Sequence, residues 1–176
     1  MNAKTFELLR SQVSNGELKL EENENIQNLL FTDELNVAKI SLYGMKNVKF
    51  DVCPENVKEL IIEECFGICL TGIDQMKLSV LQINNCNINS LEPLRKLTEL
   101  QQLELQYNKI NDISILKNFQ SITSLSLAYN RITDISVLEN LNMIQSLNLN
   151  FNKIQNIKAL KNLNSIKKLQ LDQRYH

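Results

Sequence analysis

The sequence predicts an α/β solenoid, a curved stack of coils with a parallel β-sheet on its concave face. Three consecutive segments, which begin at Leu100, Ile122 and Ile144, repeat one 22-residue pattern. A fixed period of this length indicates that each segment is one coil and that stacked coils bury a continuous apolar core. Within the first segment, Leu103 and Leu105 alternate with polar residues, as in a short strand that turns one face inward.

The apolar anchor of this strand can be followed far beyond the three clear copies. Successive anchors lie 22, 20, 21, 22, 22, 22 and 22 residues apart, and they are Leu18, Ile40, Leu60, Leu81, Leu103, Leu125, Leu147 and Leu169. We therefore predict about eight coils. Those of residues 17–77 are irregular, since two of them are short and lack the recurring Asn. Those of residues 78–176 are regular, and the last is incomplete.

One polar position recurs in the bend after each regular strand, and it is held by Asn108, Asn130 and Asn152. A side-chain amide both donates and accepts hydrogen bonds, so it can satisfy backbone groups that a bend leaves unpaired. Stacked coils are expected to place these residues in a ladder. In the two coils before Asn108, Cys65 and Cys86 occupy the same slot, and in the last unit the slot falls on Arg174.

The pattern L-x-x-L-x-L-x-x-N-x-I, which runs from Leu100 to Ile110, resembles the leucine-rich repeat in its 22-residue form. The repeats are similar to intracellular families such as the phosphatase-1 regulatory subunit. The phrase IxDISxLxNL at Ile132 to Leu141 also resembles bacterial internalins. The resemblance implies a protein-binding module, either a cytoplasmic adaptor or regulator, or an exported surface adhesin. Because the internalin type of secretion signal and cap is missing, we expect the intracellular setting.

The N-terminal end of the predicted core needs a cover, since terminal repeats must hide their apolar face. Phe6, Leu9 and Val13 recur at helical spacing, and an Asn-Gly pair follows them as a suitable helix stop. We therefore predict a capping helix over residues 1–16. A helix that binds a partner or directs targeting is the functional alternative.

The C-terminal end stops after its strand. Either the charged residues of that strand act as a crude polar cap, or the sequence is cut from a longer protein, which we favour. Half a coil leaves an unpaired strand edge. Self-association is therefore possible at this open edge.

The residues needed for enzymatic chemistry are missing from the sequence. The single histidine is His176, so no internal imidazole can serve as a general base. The four glycines form neither a phosphate loop nor a dinucleotide fingerprint, and the Cys65-x-x-x-Cys69 spacing is isolated from any second ligand pair. The adjacent Glu63 and Glu64 are interpreted as an acidic strand edge rather than a cation site. We predict a non-enzymatic protein without cofactor or metal.

Charge and cysteine usage bear on partners and setting. With a net charge of −1 and a pI near 5.9, neither nucleic acid nor an anionic membrane is an expected target. Residues 1–92 hold 8 Lys/Arg and 14 Asp/Glu, whereas residues 93–176 hold 11 and 6. A partner or a second copy could recognise this asymmetry, or it could be accidental. The four cysteines lack the paired flanks of secreted repeat domains, so Cys65 and Cys86 are expected to be core thiols in a cytoplasmic protein.

The candidate binding surface follows from the repeat, because residues that flank the inward anchors project from the concave side. The column before the ladder slot carries three aromatic residues in register. Exposed aromatic side chains on a rigid sheet are typical interface anchors, although these rings could instead pack against the next coil. With the adjacent columns, the predicted contact residues are Tyr43, Glu104, Gln106, Tyr107, Tyr129, Asn148, Asn150 and Phe151.

Overall fold

The computed structural model describes residues 11–22, 36–50 and 56–173, and these residues form one sheet of nine strands in sequence order. The strands β1 to β9 are Val13–Ser14, Glu17–Leu20, Lys39–Tyr43, Glu59–Glu63, Val80–Asn84, Gln102–Glu104, Ser124–Ser126, Ser146–Asn148 and Lys168–Gln170. The pair β1 and β2 is antiparallel, and every later pair is parallel. Consecutive parallel neighbours, each joined by a return segment, confirm the predicted solenoid.

The register of the sheet confirms the predicted repeat. Leu18 pairs with Ile40, Ile40 with Leu60, and the remaining anchors continue the same row to Leu169. The first seven anchors are at most 1% exposed, whereas Leu169 on the last described strand is 46% exposed. The short steps that precede Leu60 and Leu81 leave the strands in register, so the missing residues are taken from the return segments.

Between β4 and β9, the return segments on the other side of the solenoid are 3-10 helices. They span Ile73–Gln75, Glu92–Leu94, Ser114–Asn118, Ser136–Asn140 and Lys158–Asn162. With three residues per turn, a 3-10 helix places positions i and i+3 on the same side. Ile113, Leu116 and Phe119 follow this spacing, and all three are buried. The three-residue apolar spacing of each unit therefore becomes the outer wall of the core.

The capping helix predicted over residues 1–16 is wrong at its C-terminal end, and residues 1–10 lie outside the described part of the chain. Beyond Ser11 the chain is a hairpin, in which Val13 pairs with Leu18. Asn15 and Gly16 have φ angles of 52° and 76°. Two successive left-handed residues form the type I′ turn that joins two antiparallel strands, and Asn-Gly is its preferred sequence. The pair that suggested a helix stop therefore turns a hairpin.

Each ladder Asn joins the backbone of two coils. Asn130 Nδ2 donates to the carbonyl of Leu105 in the preceding coil at 2.8 Å and to that of Leu127 in its own coil at 3.1 Å. Asn130 Oδ1 accepts from the backbone N–H of Ile110 at 3.0 Å. Asn108 and Asn152 make the equivalent bonds one coil earlier and one coil later. The slot therefore requires a buried side chain that both donates and accepts.

A thiol fills the slot in the two coils before Asn108. Cys65 Sγ accepts from the backbone N–H of Met45 at 3.2 Å and lies 3.2 Å from the carbonyl of its own Glu63. Cys86 Sγ lies 3.0 Å from the carbonyl of Asn84 and is almost completely buried. A thiol has one proton to donate and a sulfur that accepts weakly. It therefore bonds to the backbone of the slot as the Asn amide does, but with fewer hydrogen bonds.

The last coil fills the slot with Gln173, one residue before the position expected from the repeat. Gln173 Nε2 donates to the carbonyl of Leu149 at 3.0 Å, and its Oε1 accepts from the backbone N–H of Ile154 at 3.3 Å. These partners lie 22 residues after those of Asn152. Gln is one methylene longer than Asn, so its amide reaches the slot from the preceding residue. Arg174, which the spacing assigned to this slot, lies outside the described residues.

Removing one ladder amide should destabilise the stack. We expect Asn130→Ala to lower the free energy of unfolding by about 1–3 kcal/mol, because buried backbone groups in two coils lose their partner. Urea unfolding measures the effect, with Asn111→Ala, at an exposed Asn of the neighbouring bend, as the control. Equal midpoints for Asn130→Ala and the parent would show that the ladder contributes nothing.

The buried thiol of Cys86 should make stability fall in alkali. Burial raises its pKa to about 12 from the usual value of 9.0. Between these values the unfolded chain has released a proton that the folded chain retains, so the free energy of unfolding decreases as pH rises from 9 towards 12. Urea unfolding at the two ends of this window should show a smaller loss for Cys86→Ala than for the parent. Asn111→Ala, which removes an exposed and non-titratable side chain, should behave as the parent, and identical pH dependences for Cys86→Ala and the parent would refute the assignment.

Candidate functional site

The strand face is the surface formed by side chains that leave β2 to β9 on the side away from the core. In the column that precedes the ladder slot, each described residue from the third strand to the eighth has a left-handed backbone. The φ angles are 67°, 55°, 53°, 57°, 56° and 54° for Gly44, Glu64, Asn85, Tyr107, Tyr129 and Phe151. A non-glycine residue in this region costs about 1–2 kcal/mol. Its recurrence indicates that the coil geometry imposes the conformation whatever residue occupies the position.

The three aromatic residues of this column form a stack. The ring centroids of Tyr107 and Tyr129 are 4.2 Å apart with an interplanar angle of 14°, and those of Tyr129 and Phe151 are 4.3 Å apart with an angle of 22°. Tyr107 is 53% exposed and Tyr129 is 37% exposed. The rings therefore pack against the next coil and still present their outer edges to solvent.

The stack changes the chemistry of its central hydroxyl. Desolvation within the stack raises the pKa of Tyr129 above its usual range, and the Tyr107 hydroxyl raises it further. The Tyr129 phenol is therefore neutral near pH 7. It can donate a hydrogen bond to an acceptor on a partner.

The polar residues predicted beside the stack lie around a floor of small side chains. Ala128 is buried, and Ser126 Oγ has no hydrogen-bond partner among the described residues. On one side of this floor, Glu104 accepts from Gln102 Nε2 at 2.7 Å. The predicted residue Gln106 lies on the same side and is half-buried.

On the other side of the floor, two predicted amides already bond within the sheet. Asn150 Oδ1 accepts from the backbone N–H of Asp172 at 2.7 Å. Asn148 Oδ1 accepts from the backbone N–H of Asn150 at 3.1 Å. Their amide oxygens therefore stabilise the coils, which leaves the Nδ2 groups as the donors available to a ligand.

Tyr43 lies apart from the other predicted contact residues, since two coils separate it from Tyr107. Its hydroxyl donates to Glu64 Oε2 at 3.0 Å, and its side chain is 45% exposed. The bond to Glu64 and the negative charge of that carboxylate raise the pKa of Tyr43, with smaller contributions from Glu63 and Glu21. A shallow depression of about 380 Å³ lies between Tyr43, Glu21 and Glu63. This acidic end of the strand face differs from the neutral stack.

A second column of repeated surface residues was not among the predicted contact residues. Lys109, Arg131 and Lys153 directly follow the three ladder Asn residues, and all three are exposed. The 22-residue step that defines the aromatic column also relates these three residues. The predicted surface comprised only residues that precede the ladder.

The chain resembles proteins of known structure and family. A leucine-rich-repeat family model matches residues 120–138. No curated protein sequence matches the chain significantly. Among the described residues, no helix has both the length and the apolar character needed to cross a membrane.

Solved structures share the solenoid. An internalin (inlF) from Listeria monocytogenes has a TM-score of 0.70 at 22% identity, over 88% of this chain and 47% of that one. Internalin C2 from the same species has a TM-score of 0.72 at 28% identity, over 77% and 62%. The ectodomain of a plant membrane receptor kinase from Arabidopsis thaliana has a TM-score of 0.63 at 20% identity, over 89% and 22%.

This chain therefore spans about half to three fifths of the length of the two internalins. The likeness to inlF and to the plant ectodomain is a likeness of fold. Together with the repeat pattern, the sheet register and the matching family model, it shows that the chain folds as a leucine-rich-repeat solenoid.

Proposed function

We propose that this protein binds a partner protein through its strand face, with the stack of Tyr107, Tyr129 and Phe151 as the anchor. The observation that carries the proposal is that the Tyr107 and Tyr129 rings stay exposed although the three rings stack on one another. Aromatic side chains held in this way bury a large apolar area at little cost in conformational freedom. The leucine-rich-repeat fold is typical of such interaction modules.

On this proposal the protein is an adaptor or regulator rather than an enzyme. The single histidine is the last residue of the sequence, and the strand face carries phenols, amides and carboxylates without an imidazole. These groups suit recognition by hydrogen bonding and apolar contact.

The setting we propose is cytoplasmic. Cys65 and Cys86 support it, because both are free, buried thiols that bond to backbone groups in the ladder slot. Such thiols suit a reducing compartment. The internalin likeness favours the second candidate, an exported adhesin that uses the same strand face.

Replacing the central ring should show whether the stack serves partner binding or only the stability of the fold. We expect Tyr129→Ala to weaken partner binding by about 2 kcal/mol or more, as is usual for an aromatic hot spot. Loss of two stacked contacts, each worth about 0.5–1.5 kcal/mol, should lower the free energy of unfolding by about 1–3 kcal/mol. The measurement pairs unfolding midpoints with the affinity for a partner isolated from the native cell. Lys117→Ala, on the exposed return segment, is the control. A large loss of stability with control-like affinity would make the column a packing element.

The thiols distinguish the two settings. Cys65 and Cys86 should react slowly with a thiol reagent in the folded protein and rapidly after unfolding, because burial raises both pKa values and blocks access. Cys69, which is partly exposed, should react first. Mass spectrometry of protein from the native cell gives the readout. A disulfide at either buried position would contradict the cytoplasmic setting and favour the exported one.

A further inference from the structure

In three consecutive coils, an exposed cationic residue follows the residue of the aromatic stack by two positions. The backbone N–H groups of Lys109, Arg131 and Lys153 each donate to a carbonyl of the preceding coil at 2.8 Å. This identical bond fixes the three backbones at one-coil intervals, as the ladder does for the aromatic column. We call the six residues of the two columns the aromatic–cation strip: Tyr107, Lys109, Tyr129, Arg131, Phe151 and Lys153.

The charges of the strip are not neutralised within the described part of the molecule. None of the observed ion pairs involves Lys109, Arg131 or Lys153. The carboxylates nearest in sequence, Asp112 and Asp134, lie in the bends that follow. Each accepts from the backbone N–H of a serine two residues on, at 2.8 Å, so these carboxylates are occupied in capping the return segments.

The stack itself also favours a negatively charged ligand. Both faces of the Tyr129 ring are covered by neighbouring rings, so a ligand meets the ring edges and hydroxyl groups. The edge of an aromatic ring is its electropositive part, and a neutral phenol donates a hydrogen bond. Ring edges, phenol donors and the three cations therefore present the same sign of potential along the strip, and the Asp172 carboxylate, whose charge reaches Tyr129, is the one opposing group that the described residues show there.

From this arrangement we propose that the aromatic–cation strip binds an acidic segment of the partner protein, one that carries a run of Asp or Glu side chains. The inference rests on the proposed protein-binding function and adds the chemistry of the partner. Its Asp and Glu carboxylates would pair with Lys109, Arg131 and Lys153 and accept from the tyrosine hydroxyls. Its apolar side chains would lie against the stack.

The same geometry argues against single-stranded nucleic acid, the other kind of polyanion that proteins bind with cations and aromatic rings. Proteins that bind single strands stack the bases on open ring faces. Here the inner faces are already used between Tyr107, Tyr129 and Phe151. The strip lacks the interleaved spaces that bases would need.

A defined probe tests the proposal without knowledge of the natural partner. The probe is a fluorescent peptide in which Glu residues alternate with Leu-Ser pairs. Two control ligands accompany it: the same peptide with Gln in place of every Glu, and oligothymidylate of equal charge. Fluorescence anisotropy should show that the full chain binds the acidic peptide and not the Gln version. Binding should weaken between about 0.01 M and 0.15 M salt, where the screening length falls from about 30 Å to about 8 Å.

Matched charge variants locate the site. The triple variant Lys109→Gln, Arg131→Gln, Lys153→Gln should bind the acidic peptide with about tenfold lower affinity, which is the combined effect of losing three exposed ion pairs. The control variant removes the same charge from the return segments through Lys117→Gln, Lys158→Gln and Lys161→Gln, all at exposed positions. The control should bind as the parent, and both variants should keep the parent's unfolding midpoint.

Three outcomes would overturn the inference: no binding of the acidic peptide, equal losses in the two triple variants, or tighter binding of oligothymidylate. These failures are distinguishable from failure of the proposed function. If the natural partner loses affinity with Tyr129→Ala but not with the strip's triple variant, the strand face binds protein and the acidic-segment inference is wrong. If neither variant changes that affinity, the proposed function itself is wrong.

Discussion

The structure depends on how the bend of each coil satisfies its buried backbone groups. At this position the chain leaves the sheet, and the unpaired N–H and C=O groups of two neighbouring coils face one buried side chain. Asn suits the position because its amide donates and accepts at once, as the contacts of Asn130 with Leu105 and Ile110 show. Cys65 does the same with a thiol, and Gln173 with a longer amide that enters from the preceding residue. The chemistry of the slot is therefore more constant than the residue type.

The ladder holds the coils in register, so residues at the same position of successive repeats are neighbours in space. Because the strands stay in register, residues 22 positions apart lie one coil apart, and the Tyr107 and Tyr129 rings come within 4.2 Å. The coil geometry also maintains the left-handed backbone of the aromatic column, which non-glycine residues adopt only when the surrounding structure holds them there. Stacking of the rings offsets part of that cost.

The strand face is electrically divided along the solenoid. Around Tyr43 the neighbours are Glu63 and Glu64, whereas the aromatic stack is flanked by cations without an ion-pair partner in the described structure. An acidic segment would therefore be attracted to the later coils and repelled by the earlier ones. On our proposal, this division fixes the position and direction of a bound partner segment, because complementary potentials set register more than they set affinity.

The sequence alone predicts the solenoid, the eight anchors and the ladder slot, because apolar periodicity reports directly which side chains must be buried. At Asn15-Gly16 the sequence is ambiguous, because a helix stop and a hairpin turn share one dipeptide and the pairing of Val13 with Leu18 decides between them. The spacing also places the last slot at Arg174, since spacing alone cannot show that a Gln one residue earlier reaches the carbonyl of Leu149. The stacked rings, the hydrogen bonds that occupy Asn148 and Asn150, and the separation of Tyr43 from the stack were decided by the tertiary structure. Each depends on distances between coils, and these arise only when the coils pack together.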